Sequence, residues 1–270
     1  MASDLKTIIN IIDRTSPFSL AEDWDNSGIQ VNSGSRLINR ILVALDPTIE
    51  AVKKAVSVNA ELLLTHHPLI FRKLSCIDTD EYPGDVIKES IKNDISIVSF
   101  HTNLDSAATG LNHILAEKLG LENIEVLQQK DGPFADSGLG RIGDLPEEEN
   151  FFDLAARIKE IFNISGLKVS GPGDRLIKRA AVVGGSGGDM IKAAAEKGAD
   201  LLITGDISHH DALTAGSCNI NIIDAGHFNT EKTALNAYTH KLEEVFKDHD
   251  MDIDITIEIF DEETDPMREM

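Results

Sequence analysis

Histidine and carboxylate residues recur where apolar segments of this 270-residue chain end. Two adjacent histidines close "LLLTHHPLIF", and the segments "ISIVSFHTNLD" and "INIIDAGHFNTE" each place a histidine four residues before a carboxylate. A histidine and a carboxylate four apart at the start of a helix share one face and can bind the same ion. Two such pairs and a double histidine make a mixed nitrogen and oxygen donor set suited to one or two divalent metal ions. The residues are His66, His67, His101, Asp105, His227 and Glu231.

Each of these residues also has a structural interpretation. Asp105 could cap the helix that begins at Ser106, and Glu231 could be a solvated acid in a first helical turn. His101 is open to two interpretations, a satisfied polar group at a strand end or a proton carrier that supports the ligands. Two imidazoles at the tip of a buried strand, as at His66 and His67, would each need a partner. The matched placement of the two pairs favours the metal-binding interpretation.

An internal repeat predicts the elements that position these residues. Residues 38–69 and 177–208 align without a gap, and each reads as strand, turn, amphipathic helix and strand. Short apolar runs that alternate with helices indicate parallel strands buried on both faces. We therefore expect an α/β protein with two related lobes, residues 1–130 and 151–270, joined by a connecting segment over 131–150. The alternating C-terminal strand, 252–260, could pack on either lobe, and a solvated tail should follow it.

The composition restricts the classes of function. The net charge is −21, from 46 acidic and 25 basic residues, and this disfavours electrostatic binding to nucleic acid or an anionic membrane. The two cysteines form no CxxC pattern, and no apolar run approaches the length of a membrane span. We expect a soluble, cytoplasmic protein that acts on a small molecule. In an open α/β sheet such ligands bind outside the carboxyl ends of the strands, where the histidines are placed.

Five ordered motifs carry a resemblance to a known family: "AEDWDNSGIQVNSG", "THHPLIF", "HTNLD", "TGDISHH" and "DAGHFNTE". Together they span almost the whole chain, which resembles the NIF-three-like family, also called GTP cyclohydrolase I type two homologues. The resemblance implies a two-lobed α/β fold, a toroidal homohexamer and a dinuclear metal site in the cleft between the lobes. The extra central domain of longer members is missing here. The implied metal ligands are His66, His67, Asp105, His227 and Glu231, with the glutamate bridging.

Further residues are implied or suggested at the edge of this site. The second histidine pair, His209 and His210, faces the cleft in the family. The resemblance therefore implies a role in substrate binding or proton transfer, and the alternative is that both residues are simply exposed on a helix surface. Asp25 and Asn26 are candidates to support the ligands, while Trp24 is most simply a packed indole that enters a turn.

Two glycine-rich segments need separate interpretations. "GLGRIG" (138–143) matches a dinucleotide pattern in letters only, because it lacks the preceding strand and the following helix. "GGSGG" (184–188) lies between a predicted strand and helix. Its amides could bind a phosphate, although a tight turn against a neighbouring backbone is the favoured interpretation.

The predicted function is that of a metal-dependent hydrolase. Two divalent cations per chain, of zinc, iron, manganese or nickel, would act on a nucleotide or phosphoester-type substrate. The alternative is a non-catalytic metal-binding or regulatory protein. His101, His209 and His210 favour hydrolysis, because a storage site has no use for proton carriers.

Overall fold

The computed structural model of the protein describes residues 3–34, 37–130, 134, 136–247 and 255–267. The chain divides into two compact α/β units, which confirms the prediction of two α/β lobes. Unit 1 comprises residues 1–104 and 235–270, and unit 2 comprises residues 105–234. Among the described residues, no helix combines the length and the apolar character that crossing a membrane requires.

Unit 1 contains a five-stranded sheet in the order β1-β4-β3-β2-β11. Strand β1 is antiparallel to β4, and the other neighbours are parallel. The strands are β1 (Gly28–Val31), β2 (Arg40–Ala44), β3 (Leu62–Thr65), β4 (Ser96–Ser99) and β11 (Thr256–Ile259). The helices are α1 (Leu5–Thr15), α2 (Ile49–Ser57) and α3 (Gly84–Lys92), and the division between the units falls inside α4 (Thr102–Ser106) and α9 (His227–Lys247).

The apolar strands of unit 1 are buried on both faces, as continuous Ile, Leu and Val runs predict. Leu42, Leu63 and Ile97 belong to one core cluster and are fully buried. Thr48 caps α2 by accepting a hydrogen bond from the Ala51 amide. The helix begins where this cap satisfies an amide that has no partner inside the helix.

Unit 2 contains a six-stranded sheet in the order β5-β6-β8-β9-β10-β7. Strands β8, β9 and β10 are parallel, and the remaining pairs are antiparallel. The strands are β5 (Glu122–Gln129), β6 (Gly138–Asn150), β7 (Lys168–Ser170), β8 (Leu176–Ser186), β9 (Leu201–Gly205) and β10 (Asn221–Asp224). The helices are α5 (Leu111–Lys118), α6 (Phe151–Phe162), α7 (Ile191–Glu196) and α8 (His209–Ser217).

The predicted repeat occurs as two matching strand, helix and strand units. Helix α2 joins the parallel strands β2 and β3, and α7 joins the parallel strands β8 and β9. Strands β4 and β10 then add in parallel to β3 and β9. The loops that follow the carboxyl ends of β2, β3 and β4 therefore correspond to the loops that follow β8, β9 and β10.

The limits of the two units differ from the lobes expected from the sequence. Most of the expected connecting segment is strand β6, which pairs with β5 and β8, while residues 131–133 and 135 lie outside the described residues. Strand β11 pairs with β2 and so belongs to unit 1; residues 252–254 of the predicted strand also lie outside the described residues. Both differences arise because strands pair through backbone hydrogen bonds between segments that are not adjacent in sequence.

The "GLGRIG" segment is part of β6 and has a packing role there. A Cβ atom at Gly143 would lie 2.6 Å from the Glu122 carbonyl oxygen of the paired strand. The Arg141 guanidinium is buried and donates to the carbonyls of Ala107 (2.7 Å) and Gly138 (2.8 Å). Burial lowers the pKa of Arg141 to about 10. The glycines of this segment therefore have a structural role: Gly143 lets the paired strand approach closely, and the Gly138 carbonyl accepts a hydrogen bond from Arg141.

Candidate metal centre

Three imidazoles come together in unit 1 and form what we term the histidine cluster: His66, His67 and His101. One ring nitrogen from each lies within 4.8 Å of the others, a spacing that could hold a metal ion. Their ring centroids are 5.1 to 5.5 Å apart. His66 is fully buried, whereas His67 and His101 are half-buried.

Each ring of the histidine cluster is oriented by a hydrogen bond at Nδ1. A carbonyl oxygen or an ionised carboxylate can only accept, so Nδ1 is the donor in each hydrogen bond and Nε2 is the ring nitrogen that would bind a metal ion. Metal-binding histidines commonly show this arrangement, in which the second nitrogen donates to an oxygen. The acceptors are the Phe100 carbonyl for His66 at 3.0 Å, Asp46 for His67 at 2.8 Å and Asp25 for His101 at 2.8 Å.

All five strands of the first sheet contribute to the edge where the histidine cluster lies. The parallel strands end there, and the antiparallel β1 begins there. The groups are Asp46 after β2, His66 and His67 after β3, His101 after β4, Asp25 before β1 and Glu263 after β11.

The carboxylate of Asp25 is the most enclosed of these supporting groups. Its side chain has no exposed surface, and it accepts hydrogen bonds from the Ser27 hydroxyl (2.8 Å) and the Thr102 hydroxyl (2.6 Å) as well as from His101. Burial alone would raise the pKa of Asp25, but the hydrogen bond and charge of His101, with the two hydroxyl hydrogen bonds, hold it well below 3.8. Asp25 is therefore a permanent anion that fixes the His101 ring.

Glu263 is a supporting residue that the sequence did not indicate, because the tail after β11 was expected to be solvated. Its carboxylate accepts from the Leu45 amide (2.9 Å) and the Asp46 amide (3.0 Å). Asp46 in turn accepts from His67. The tail thus fixes the turn that orients one ring of the histidine cluster.

We expect Glu263→Gln to weaken zinc binding about 10-fold, the lower end of the cost of losing a group that supports a metal ligand. The amide replaces one of the two carboxylate oxygens that hold the turn and removes the charge that strengthens these hydrogen bonds. Isothermal titration of chelator-treated protein with zinc measures the effect. Glu262→Gln is the matched control, because Glu262 pairs instead with Lys54 (2.7 Å). Equal affinities for the two variants would contradict the positioning role.

Unit 2 contains a second arrangement of potential ligands at the start of α9. His227 Nδ1 donates to Asp206 at 2.7 Å, and His227 Nε2 lies 3.1 Å from Glu231 Oε2. Glu231 is 3% exposed, so its carboxylate is held inside the protein. Asp105 is also buried, and its backbone carbonyl accepts from Asn112 at 3.1 Å. The sequence-predicted pair of His227 and Glu231 is therefore a direct contact.

The "GGSGG" segment lies against this pair. Gly185 has a φ of +68°, and a Cβ atom there would lie 2.2 Å from Glu231 Oε1. A Cβ atom at Gly188 would lie 2.8 Å from the Asp211 carboxylate. The glycines allow two acidic side chains to approach the backbone, which favours the close-approach interpretation over phosphate binding.

The other histidine pair lies in the first turn of α8. His209 and His210 are both exposed, with ring centroids 5.7 Å apart. Ser208 caps the helix together with Asp211. Within the described part of the chain, neither histidine joins a group of three potential metal donors. Their role in substrate binding or proton transfer stays a prediction.

Comparison with known proteins places this geometry in a family. The model of the family Duf34/NIF3 (NGG1p interacting factor 3) matches residues 3–266. A Clostridium perfringens protein named GTP cyclohydrolase 1 type 2 homolog is 40% identical over 262 residues, which cover 97% of this chain and 98% of the relative.

Solved structures share the fold of this chain. A Bacillus cereus protein related to NIF3 has a TM-score of 0.91 at 27% identity, with 98% of both chains covered. Reduced HcgD from Methanocaldococcus jannaschii has a TM-score of 0.80 at 31% identity, covering 97% of this chain and 99% of that one. This chain therefore belongs to the DUF34/NIF3 family.

Proposed function

We propose that this protein binds two divalent metal ions and hydrolyses a nucleotide or another small phosphoester-type substrate. The ligands would be those that the sequence predicted. They are His66, His67, Asp105, His227 and Glu231, with Glu231 as the bridging ligand.

The orientation of four histidines is the observation that carries this proposal. His66, His67, His101 and His227 each have Nδ1 bound to an oxygen acceptor, and for three of them the acceptor is an aspartate. This arrangement orients the rings of His66, His67 and His227, the proposed histidine ligands, as it does in metal-binding histidines generally, and it fixes the ring of His101, the proposed proton carrier. A buried carboxylate beside one of them completes a nitrogen and oxygen donor set that suits zinc, iron, manganese or nickel.

Divalent ions held by these residues would polarise a phosphoryl or purine substrate and lower the pKa of water. The name of one relative agrees with such a substrate, since the Clostridium perfringens relative is called a GTP cyclohydrolase 1 type 2 homolog. The side chains around the ligands perform the remaining tasks of binding, orientation and proton transfer.

His101 is our candidate for proton transfer. Asp25 holds its Nδ1 proton, so Nε2 can accept a proton while the buried carboxylate stabilises the imidazolium that results. The same logic makes an aspartate and histidine pair an effective base in other hydrolases. His209 and His210 are further candidates for this role, because they are exposed to solvent.

The test combines metal content with turnover. Protein purified without chelator should contain about two divalent ions per chain by elemental analysis, as the donor set predicts. The loaded and the chelated protein are then assayed against a panel of nucleotides and phosphoesters. His101→Gln should keep the metal and lose turnover. Stoichiometric metal without turnover on any substrate would favour the storage or regulatory alternative, and no stoichiometric metal would refute both.

We also propose that the chain forms a closed homo-oligomer, the hexamer that its family resemblance implies. Closed symmetry leaves no growing end, but −21 charges per chain repel one another unless the interfaces are apolar or charge-paired. Raising the ionic strength should therefore preserve or strengthen the assembly by screening. Light scattering at low and high salt measures this, and a monomer under both conditions would contradict it. The cytoplasmic location stays a prediction.

A further inference from the structure

We propose that Trp24 and Phe71 form an aromatic platform that binds a planar heteroaromatic ring of the substrate beside the histidine cluster. The inference rests on the proposed hydrolytic function and specifies the substrate class. Trp24 was expected to be a packed indole, yet 60% of it is exposed, and Phe71 is 51% exposed. Two large aromatic side chains are thus presented to solvent next to potential catalytic groups.

The geometry of the platform leaves ring surface available. The Trp24 and Phe71 ring centroids are 5.9 Å apart, and the ring planes are inclined by 59°, so the two rings do not stack on each other. Their centroids lie 6.1 and 6.4 Å from that of His101. A flat ligand held on the platform would therefore lie beside the proton-transfer candidate.

The backbone beneath the platform is fixed by hydrogen bonds. Asp25, which follows Trp24, is fully enclosed by its donors. Asn26 donates from Nδ2 to the Ile70 carbonyl at 2.6 Å, and the Ile70 amide donates to Gln30 Oε1 at 3.0 Å. These bonds link the loop of Trp24 to the residue before Phe71. The exposed rings are thus preorganised, which lowers the entropic cost of binding a ligand.

The surroundings favour a ring over an anionic group as the occupant. Glu22 and Asp23 precede Trp24 in the chain and Arg72 and Lys73 follow Phe71, so the charges beside the two rings offset one another and give an anion no net attraction. An aromatic face, in contrast, gains about 1–3 kcal/mol from stacking on a nucleobase, whatever the base. Small-molecule sites commonly combine such apolar surface with a few polar groups. The platform would hold the ring while the metal ligands and His101 act on the reacting bond.

Trp24 provides the measurement, because it is the only tryptophan of the chain. We expect guanosine to quench its fluorescence saturably, in zinc-loaded and in chelated protein, and ribose to leave it unchanged. Phe71→Leu keeps the reporter and should weaken guanosine binding about 10-fold, since it removes one stacking face. Phe152→Leu is the matched control, because Phe152 is 59% exposed in α6 of unit 2. Zinc affinity should be equal in both variants.

The outcomes separate this inference from the proposed function. Absence of saturable quenching by guanosine, or equal guanosine affinities of the two variants, would overturn the platform even if zinc binding and turnover stand. The platform would also be overturned if Phe71→Leu changed the size of the oligomer without changing the guanosine affinity. That result would indicate that the two rings form a subunit contact. Guanosine binding to a protein that takes up no zinc would support the platform and refute the metal-dependent function.

Discussion

Glu231→Gln should reduce the metal content from about two ions per chain to one or none, the largest loss that a single isosteric change can cause here. Glu231 is buried beside His227, and it is the implied bridging ligand. An amide keeps the volume but removes the negative charge that would hold two cations close together. Elemental analysis and zinc titration measure the loss.

The stability of the metal-free variant provides a second readout. The Nε2 lone pair of a neutral His227 ring would lie only 3.1 Å from Glu231 Oε2, an arrangement that needs a cation or a proton between the two atoms. The NH₂ group of glutamine can donate to that lone pair, so the chelated variant should be at least as stable as the parent in urea unfolding. A marked loss of stability would indicate that Glu231 is a structural residue instead.

The metal affinity of Glu231→Gln can be compared with those of two further variants. Asp25→Asn should weaken metal binding much less than Glu231→Gln does, because Asp25 orients the His101 ring, which is not one of the proposed ligands. Gly185→Ala should act in the same direction as Glu231→Gln, since its Cβ atom would displace the same carboxylate. Gly216→Ala is the control for Gly185→Ala, because a Cβ atom there would meet nothing within 4 Å. Equal zinc affinities of Glu231→Gln and Asp25→Asn would refute Glu231 as a ligand.

The second large effect is thermal stabilisation by metal. An ion that binds only the folded protein adds about 4.1 kcal/mol when its free concentration is a thousand times Kd. For units of this size each kcal/mol raises Tm by about 2–4 °C, so saturating zinc should raise Tm by roughly 8–16 °C. Differential scanning calorimetry of chelated and zinc-loaded protein gives the comparison.

A matched pair of histidine variants assigns that rise to the proposed ligands. His66→Gln should lose most of the zinc-dependent shift, because His66 is the fully buried member of the histidine cluster. His113→Gln should keep the full shift, since His113 pairs with Glu117 (3.5 Å) on helix α5. Each variant is compared with its own metal-free form, so a general loss of stability does not enter the result. The same Tm with and without zinc in the parent protein would refute the metal site.

The positions of the candidate site residues at the ends of strands were predictable because their signal is local. His66, His67 and His101 follow apolar runs directly, and the rule that ligands bind at the carboxyl ends of strands needs only those runs. The contact of His227 with Glu231 follows from four-residue spacing on a helix. Asp46 carried the same signal, since it follows β2, but a single aspartate before a proline reads equally well as a turn residue.

Glu263 and the limits of the two units were not predictable in this way. Glu263 binds the Leu45 amide across a separation of 218 residues, and this contact exists only because β11 pairs with β2. The alternation of polar and apolar residues over 252–260 predicted a strand, but it did not indicate which sheet the strand would join. Exposure of Trp24 was also missed, since an indole is most often buried and only its fixed loop holds it in solvent.

The division of unit 1 between two ends of the chain has a consequence during protein synthesis. Residues 105–234 are continuous and can fold as a unit while translation proceeds, at about 5–20 residues per second. Unit 1 must wait for its last strand: β11 and Glu263 leave the ribosome about 10–30 s after His101 at these rates. During that interval β2 is an open sheet edge, which is a surface that pairs with other strands. A nascent chain can therefore present every histidine of the cluster before the turn that orients His67 has formed.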